Sequence, residues 1–111
     1  MILRFPLALA LLAACVLGAI PASAQETYTI VIKGNRMSPA ELEVPAGKKI
    51  KLLVDNQDPT PEEFESYSLN REKIIPGNSK ATIFIGPLKP GSYEFFGDFH
   101  QATAQGRIVA K

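Results

Sequence analysis

The feature that most constrains this chain is a series of short segments in which apolar and polar residues alternate, each ended by glycine, proline or asparagine. Residues 27–33 are typical, because Ile30 and Ile32 fall on one face, as expected of a half-buried β-strand. Gly34 and Asn35 follow immediately and indicate a turn. After its apolar N-terminus the chain shows no sustained helical period, so the pattern favours strands throughout.

Segments of this kind recur at roughly ten-residue spacing, which is typical of two packed sheets. We therefore predict an all-β fold, a Greek-key β-sandwich of about seven strands. A short helical turn is compatible with residues 38–42 or 69–73. The predicted strands are residues 27–33, 41–44, 49–54, 64–69, 80–85, 93–96 and 107–110.

The N-terminus has the pattern of a secretory signal. Arg4 supplies the positive charge, an apolar run extends over residues 5–20, and residues 22–24 give the small-x-small cleavage pattern. We predict that residues 1–24 are a signal peptide, that residues 25–111 form one domain, and that the protein is periplasmic.

Two other fates of the N-terminus are open. The apolar run would act as an uncleaved anchor if the signal peptidase did not cut it, although it is short for a membrane span. Residues 12–15 also resemble a lipobox, in which Cys15 would be acylated. Because Cys15 is the only cysteine, cleavage or acylation removes the free thiol from the folded domain, which then has no disulfide.

The charge balance and the absence of catalytic motifs argue against two classes of function, nucleic-acid binding and catalysis. Without Arg4 the chain carries as many basic as acidic side chains, 11 of each, and this balance does not suggest a nucleic-acid-binding protein. No Ser/His/Asp pattern, phosphate loop or cysteine pair is present. We therefore lean against an enzyme and leave open a contribution to ferrous-iron oxidation.

Two motifs carry a family resemblance. Residues 37–39 and 42–47 form an apolar-x-Pro element followed by a strand that ends in Pro-Ala-Gly, and residues 90–96 form a Pro-Gly-x-Tyr-x-Phe element that leads into a loop. Together they resemble the cupredoxins, over nearly the whole of residues 25–111. This resemblance implies the sandwich fold and a metal site in the loop that follows residue 96.

The segment 61–66 is similar to one branch of that superfamily. It resembles the cupredoxin-like periplasmic component of bacterial ferrous-iron uptake systems, the EfeO-type cupredoxin-like domain. That resemblance implies a metal-ion ligand and two partners, a P19-like periplasmic iron protein and an inner-membrane iron permease.

The resemblance also places the ligands of a blue-copper site, which are two histidines, a cysteine thiolate and a weak axial ligand. His100 falls on the C-terminal histidine, and Gly97 stands where the cysteine would be. Glu65 falls on the N-terminal histidine, and Gln105 lies near the axial position. Without the thiolate, a blue-copper centre and its electron route are excluded.

A different metal site remains compatible with these residues. Met37 lies on the segment that runs beside the metal loop in the family, so Met37, Glu65 and His100 are predicted to form a mixed copper site. Thioether suits Cu(I), carboxylate suits harder cations and imidazole suits both. Glu63 would share the face of Glu65 in an extended segment, and Asp98 precedes His100 by two residues. Both are reserve ligands, and a carboxylate-rich cluster would favour iron instead.

Each of these residues also has a purely structural interpretation. Met37 would fill the core, His100 would be a surface or capping residue, and Asp98 would bind loop amides. Residues 62–65 would be a solvated acidic patch.

Three functional hypotheses follow. The first is a metal-binding protein that assists ferrous-iron uptake and takes part in electron transfer, with copper or iron as cofactor. The second is a metal-free scaffold that binds other proteins through residues 62–65 and the lysines at 48, 49 and 51. The third is a copper carrier.

Overall fold

The computed structural model describes residues 26–111, in which nine strands form two sheets. The predicted all-β sandwich is confirmed, with two more strands than expected. The strands are β1 (Thr27–Lys33), β2 (Arg36–Ser38), β3 (Glu41–Val44), β4 (Ile50–Asn56), β5 (Glu62–Ser66), β6 (Arg71–Ile75), β7 (Ser79–Ile85), β8 (Gly91–Gly97) and β9 (Gln105–Ala110).

The two sheets have the strand orders β2-β1-β4-β7 and β3-β9-β8-β5-β6. β1 pairs with β4 in parallel, as does β3 with β9, whereas the remaining pairs are antiparallel. The chain crosses between the sheets five times, after β2, β3, β4, β6 and β7. In the second sheet, β5 lies between β8 and the edge strand β6, which places it beside the loop that follows β8.

The core lies between the inner faces of the two sheets. β4 alternates between buried and partly exposed residues, and Ile50, Leu52 and Val54 point inward. From the second sheet, the rings of Phe64 and Phe95 stack with their centroids 5.4 Å apart. Both phenylalanines are almost completely buried, so β5 and β8 are fixed against each other by packing.

Two strands, β2 and β6, were not predicted from the sequence. β6 is an edge strand with four exposed residues followed by a buried one, so it lacks an apolar alternation. The short helical turn considered for residues 38–42 or 69–73 is found at neither place, because residues 38–42 span the end of β2 and the start of β3, and residues 71–73 belong to β6. The strand predicted to reach residue 69 ends at Ser66, before a turn in which Asn70 has a φ of 53°.

The loop before β5 is held by a buried amide. Asn56 is 1% exposed, and its Nδ2 donates hydrogen bonds to the carbonyl oxygens of Thr60 (2.9 Å), Ile75 (3.1 Å) and Pro76 (3.2 Å). These bonds join the end of β4 to the residues just before β5 and to the end of β6. They therefore fix where β5 begins, at Glu62.

Among residues 26–111, no helix is long and apolar enough to cross a membrane. The predicted signal peptide and Cys15 lie outside the described residues.

Candidate metal centre

A buried carboxylate lies at the end of the sandwich where β5 begins. The side chain of Glu62 is 2% exposed, and its Oε2 is 2.6 Å from Nδ1 of His100. Its Oε1 accepts hydrogen bonds from the backbone N–H groups of Glu63 (3.0 Å) and Phe99 (2.9 Å). Both oxygens therefore have partners, as a buried carboxylate requires.

The backbone of Gly97 lies directly against this carboxylate. A Cβ atom at Gly97 would be 2.6 Å from Cδ of Glu62 and 2.7 Å from Cβ of Ala104. The backbone angle φ of Gly97 is −92°, which any residue can adopt, so glycine is required here by packing and not by conformation. The Glu62 carboxylate thus fills the space beside the position where the resemblance places a cysteine.

A blue-copper centre does not fit this arrangement. The thiolate is absent, and the room for a side chain at Gly97 is taken by Glu62 and Ala104. The donor set that remains at this end of the sandwich is an imidazole nitrogen and a carboxylate oxygen. These are ligands for Cu(II) without the colour or redox tuning that a thiolate gives.

The loop that carries His100 is fixed by the backbone. Residues 98–100 form a short 3-10 helix after β8, and the His100 carbonyl accepts a hydrogen bond from the N–H of Ala104 (2.9 Å). The carbonyl of Ala104 in turn accepts a bond from the N–H of Gly97 (2.8 Å). The hydroxyl of Thr103 donates to the carbonyl of Asn35 in the β1–β2 turn. His100 is therefore held in place, with its side chain 30% exposed.

Two of the predicted ligands, Glu63 and Glu65, lie on β5 and share its outer face. Side chains alternate along a strand, so Glu62 and Phe64 point inward while Glu63 and Glu65 point to the outer face, the shared face predicted for them. There, one carboxylate oxygen each of Glu63, Glu65 and Glu72 lie within 4.8 Å of one another. The carboxylate that contacts His100 in this structure is that of Glu62, and a metal-binding role for Glu65 and Glu63 stays a prediction.

The other predicted residues have structural contacts. Met37 is 4% exposed, pairs with Ile32 across β1 and β2, and belongs to the core. Asp98 accepts a hydrogen bond from Nε2 of Gln101 (2.7 Å), and Gln105 donates to the Gln101 carbonyl (2.7 Å). A metal-binding role for Met37 and Asp98 stays a prediction.

The interpretation of residues 62–65 as a solvated patch is wrong for Glu62, which is 1% exposed. The available signal was strand parity, since Glu62 lies two residues before the apolar Phe64 and so shares its face. Phe99, which precedes His100 in the loop, is 47% exposed.

The pKa values of two carboxyl groups, those of Glu63 and Asp58, are shifted in opposite directions. Burial raises the pKa of Glu63, and the neighbouring carboxylates of Glu72, Asp98 and Glu65 raise it further. In contrast, hydrogen bonds from the backbone N–H groups of Asn35 and Gly34 lower the pKa of Asp58.

Comparison with known sequences agrees with this architecture. A family model described as "Cupredoxin-like domain" matches residues 6–110. A protein of Rickettsia prowazekii (strain Madrid E), described as uncharacterized, is 52% identical over 80 residues, which are 72% of this chain and 64% of that protein. The chain thus spans less than two thirds of the length of this relative.

Several solved structures share the fold. Auracyanin A, a "blue" copper protein from Chloroflexus aurantiacus, superposes with a TM-score of 0.68 at 15% identity, over 79% of this chain and 100% of that one. The purple cupredoxin from Nitrosopumilus maritimus gives 0.59 at 20% identity, over 75% and 98%. The metal-binding domain of a Cu(I)-exporting P-type ATPase from Streptococcus pneumoniae D39, solved with Cu(I), gives 0.64 at 16% identity, over 77% and 84%.

Proposed function

This chain belongs to the cupredoxin-like domain family, and we propose that it binds a metal ion, without forming a blue-copper centre, through the side chains of Glu62 and His100. The observation that carries the proposal is the hydrogen bond of 2.6 Å between Nδ1 of His100 and Oε2 of Glu62, beside the bare backbone of Gly97; an ion bound there would replace the shared proton. Imidazole and carboxylate together suit Cu(II), so copper is the ion proposed first. A fold shared with copper proteins supports this choice.

Backbone N–H groups orient the carboxylate of Glu62 toward His100. The N–H groups of Glu63 and Phe99 hold Oε1 of Glu62, which leaves Oε2 directed at the imidazole. The partial exposure of His100 gives an ion a route from solvent. Copper bound there would supply one-electron chemistry, and the protein would supply orientation and a partly dry environment.

The physiological part of the proposal is a role in ferrous-iron uptake after export to the periplasm. It is supported by the signal-like residues 1–24 and by the resemblance of residues 61–66 to the iron-uptake branch. In that role the domain would act beside a periplasmic iron protein and an inner-membrane permease. Deletion of the gene is expected to slow growth under iron limitation, and growth equal to the parent strain would contradict the role.

Metal titration tests the site itself. Metal-free protein is titrated with Cu(I), Cu(II) and Fe(II) against a competing chelator, and the His100→Ala and Glu62→Gln variants are compared with Glu43→Gln, an exposed carboxylate on β3. We expect both site variants to weaken Cu(II) binding by about tenfold or more, while Glu43→Gln leaves it unchanged. Unchanged affinity in His100→Ala would overturn the proposed site.

A second function, a metal-free domain that binds other proteins, is favoured by a different observation. Both oxygens of Glu62 already have protein partners, so the pair is satisfied without an ion. The outer face of the second sheet carries a cavity of about 720 Å³ beside the exposed Tyr67 and the partly exposed Phe96. Absence of saturable binding of every ion in the titration would favour this function.

A further inference from the structure

We propose that the outer face of the first sheet, β2-β1-β4-β7, docks on the surface of an anionic phospholipid bilayer. This surface, here called the basic sheet face, consists of Lys33, Arg36, Lys49, Lys51, Lys80 and the exposed ring of Phe84. The proposal goes beyond the metal centre described above, because it uses neither Glu62 nor His100.

The outward positions of the first sheet collect basic side chains. The apolar residues of β4 are buried in the core, so strand alternation turns Lys51 outward. In the sheet register, Lys51 lies opposite Phe84 of β7, and Lys33 lies opposite Arg36 of β2. Among the outward positions of these four strands, Asp55 is the one acidic side chain. The face therefore has a clear excess of positive charge.

These positive charges are not neutralised within the described part of the chain. In residues 26–111 the ion pairs join glutamates to His100, Arg107 and Lys111, and none of them includes a side chain of the basic sheet face. Like charges in directly opposite positions, as at the β1–β2 pair of this face, destabilise a sheet. An anionic surface laid against the face would remove that repulsion.

The second sheet carries the opposite charge on its outer face. Its outward strand positions hold six carboxylates and one basic side chain. These residues are Glu41, Glu43, Glu63, Glu65, Glu72, Glu94 and Arg107. Residues 25–111 have equal numbers of basic and acidic side chains, so the charges are separated between the two faces of the sandwich. A charge distribution of this kind orients the molecule near a charged surface, with the first sheet toward anions.

The chemistry of the basic sheet face favours a bilayer over a folded acidic protein. Lysine ammonium groups are compact, strongly hydrated charges that need no fixed geometry, so they suit mobile lipid headgroups. Phe84 is 45% exposed, with Nζ of Lys49 5.1 Å from the centre of its ring. An exposed ring beside lysines can enter the headgroup region while the ammonium groups stay at the phosphates. Each basic side chain near an anionic membrane strengthens binding by about fivefold.

The test places one fluorescent reporter on each sheet, because the chain has no tryptophan. Full-length Phe84→Trp is compared with full-length Tyr67→Trp, in which the reporter replaces a 78% exposed ring that follows β5 in the second sheet. Each is mixed with vesicles of phosphatidylglycerol and phosphatidylcholine, or of phosphatidylcholine alone. We expect a blue shift of the emission only for Phe84→Trp and only with the anionic vesicles. Because both proteins keep residues 1–25, any membrane affinity of that segment is common to them.

Neutral variants test the role of charge. In the Phe84→Trp background, Lys49→Gln combined with Lys51→Gln should raise the lipid concentration for half of the shift by about tenfold or more. The matched change Lys111→Gln removes a lysine that pairs with Glu43 on the other sheet and should leave it unchanged. Salt at about 1 M, where the Debye length is about 3 Å, should abolish the shift.

Several results would overturn the proposal. They are a blue shift of Tyr67→Trp with anionic vesicles, equal shifts of Phe84→Trp with both kinds of vesicle, and an unchanged shift in the double lysine variant. Binding of soluble polyglutamate without any shift on vesicles would assign the face to an acidic protein and would also overturn it. All the substituted side chains are at least partly exposed, so circular dichroism should show folded variants.

Discussion

Replacing Glu62 by alanine is expected to lower the free energy of unfolding of the metal-free domain by about 3–5 kcal/mol, because it removes a buried side chain and the acceptor of two backbone N–H groups. The side chain that is lost is 2% exposed and fills the space against Gly97. Its loss leaves the N–H groups of Glu63 and Phe99 without their acceptor. Each unsatisfied buried donor costs about 1–3 kcal/mol, and the vacated volume adds to this.

That loss is large relative to the stability of so small a domain. At about 0.05–0.15 kcal/mol per residue, a domain of this size has a free energy of unfolding of roughly 4–13 kcal/mol. Glu62→Ala therefore removes about a quarter of the stability or more. Urea denaturation followed by circular dichroism, in the presence of a chelator, measures the change from the midpoint at constant m-value.

Two further variants separate the interactions of Glu62. Glu62→Gln keeps the volume and one carbonyl oxygen for the two N–H groups, so it should lose only about 1–1.5 kcal/mol. His100→Ala should lose about 1–2 kcal/mol, since the carboxylate keeps both backbone donors and the imidazole is partly exposed. A loss below about 1 kcal/mol in Glu62→Ala, or one no larger than in His100→Ala, would refute the reasoning.

Two other predictions concern neighbouring groups. Gly97→Ala should destabilise the domain by about 1–3 kcal/mol through overpacking, as measured by urea denaturation. Adding Ala104→Gly should restore part of this stability, because it removes one of the two residues that the new Cβ would meet. Equal stability of Gly97→Ala and wild type would contradict the packing argument. Asp58 has a lowered pKa in the folded state, so its contribution to stability is present above its ordinary pKa of 3.8 and is lost as the pH falls through the lower folded value. Asp58→Asn should therefore be less stable than wild type at pH 7, with a difference that shrinks in acid; a difference that is constant with pH would contradict it.

The fold followed from the sequence where strands are long and one face is apolar. The strand over residues 27–33 has the predicted bounds and inward residues, because alternation directly reports burial. The strand Arg71–Ile75 was not predicted, since an edge strand with exposed side chains has no apolar period. Its position is set by pairing with β5, which is a tertiary interaction.

The site was predicted in part. The absence of a thiolate and the position of His100 in the loop after β8 followed from the sequence and the resemblance. The partner of His100 did not, because a fully buried glutamate contradicts ordinary hydropathy. Glu62 is tolerated inside only because Phe99 and His100 meet its oxygens, and these contacts join residues 37 and 38 positions apart. No local pattern reports them.

The anchoring of β5 by Asn56 has a consequence for how this gene can vary. Consecutive codons specify Glu62, whose oxygens require donors inside the sandwich, and Glu63, whose oxygens face away from it. A one-residue deletion in the loop over residues 57–61 would pull β5 by one position and exchange these two environments. The sequence of β5 is thus expected to vary by substitution, whereas insertions and deletions between Asn56 and Phe64 should be selected against.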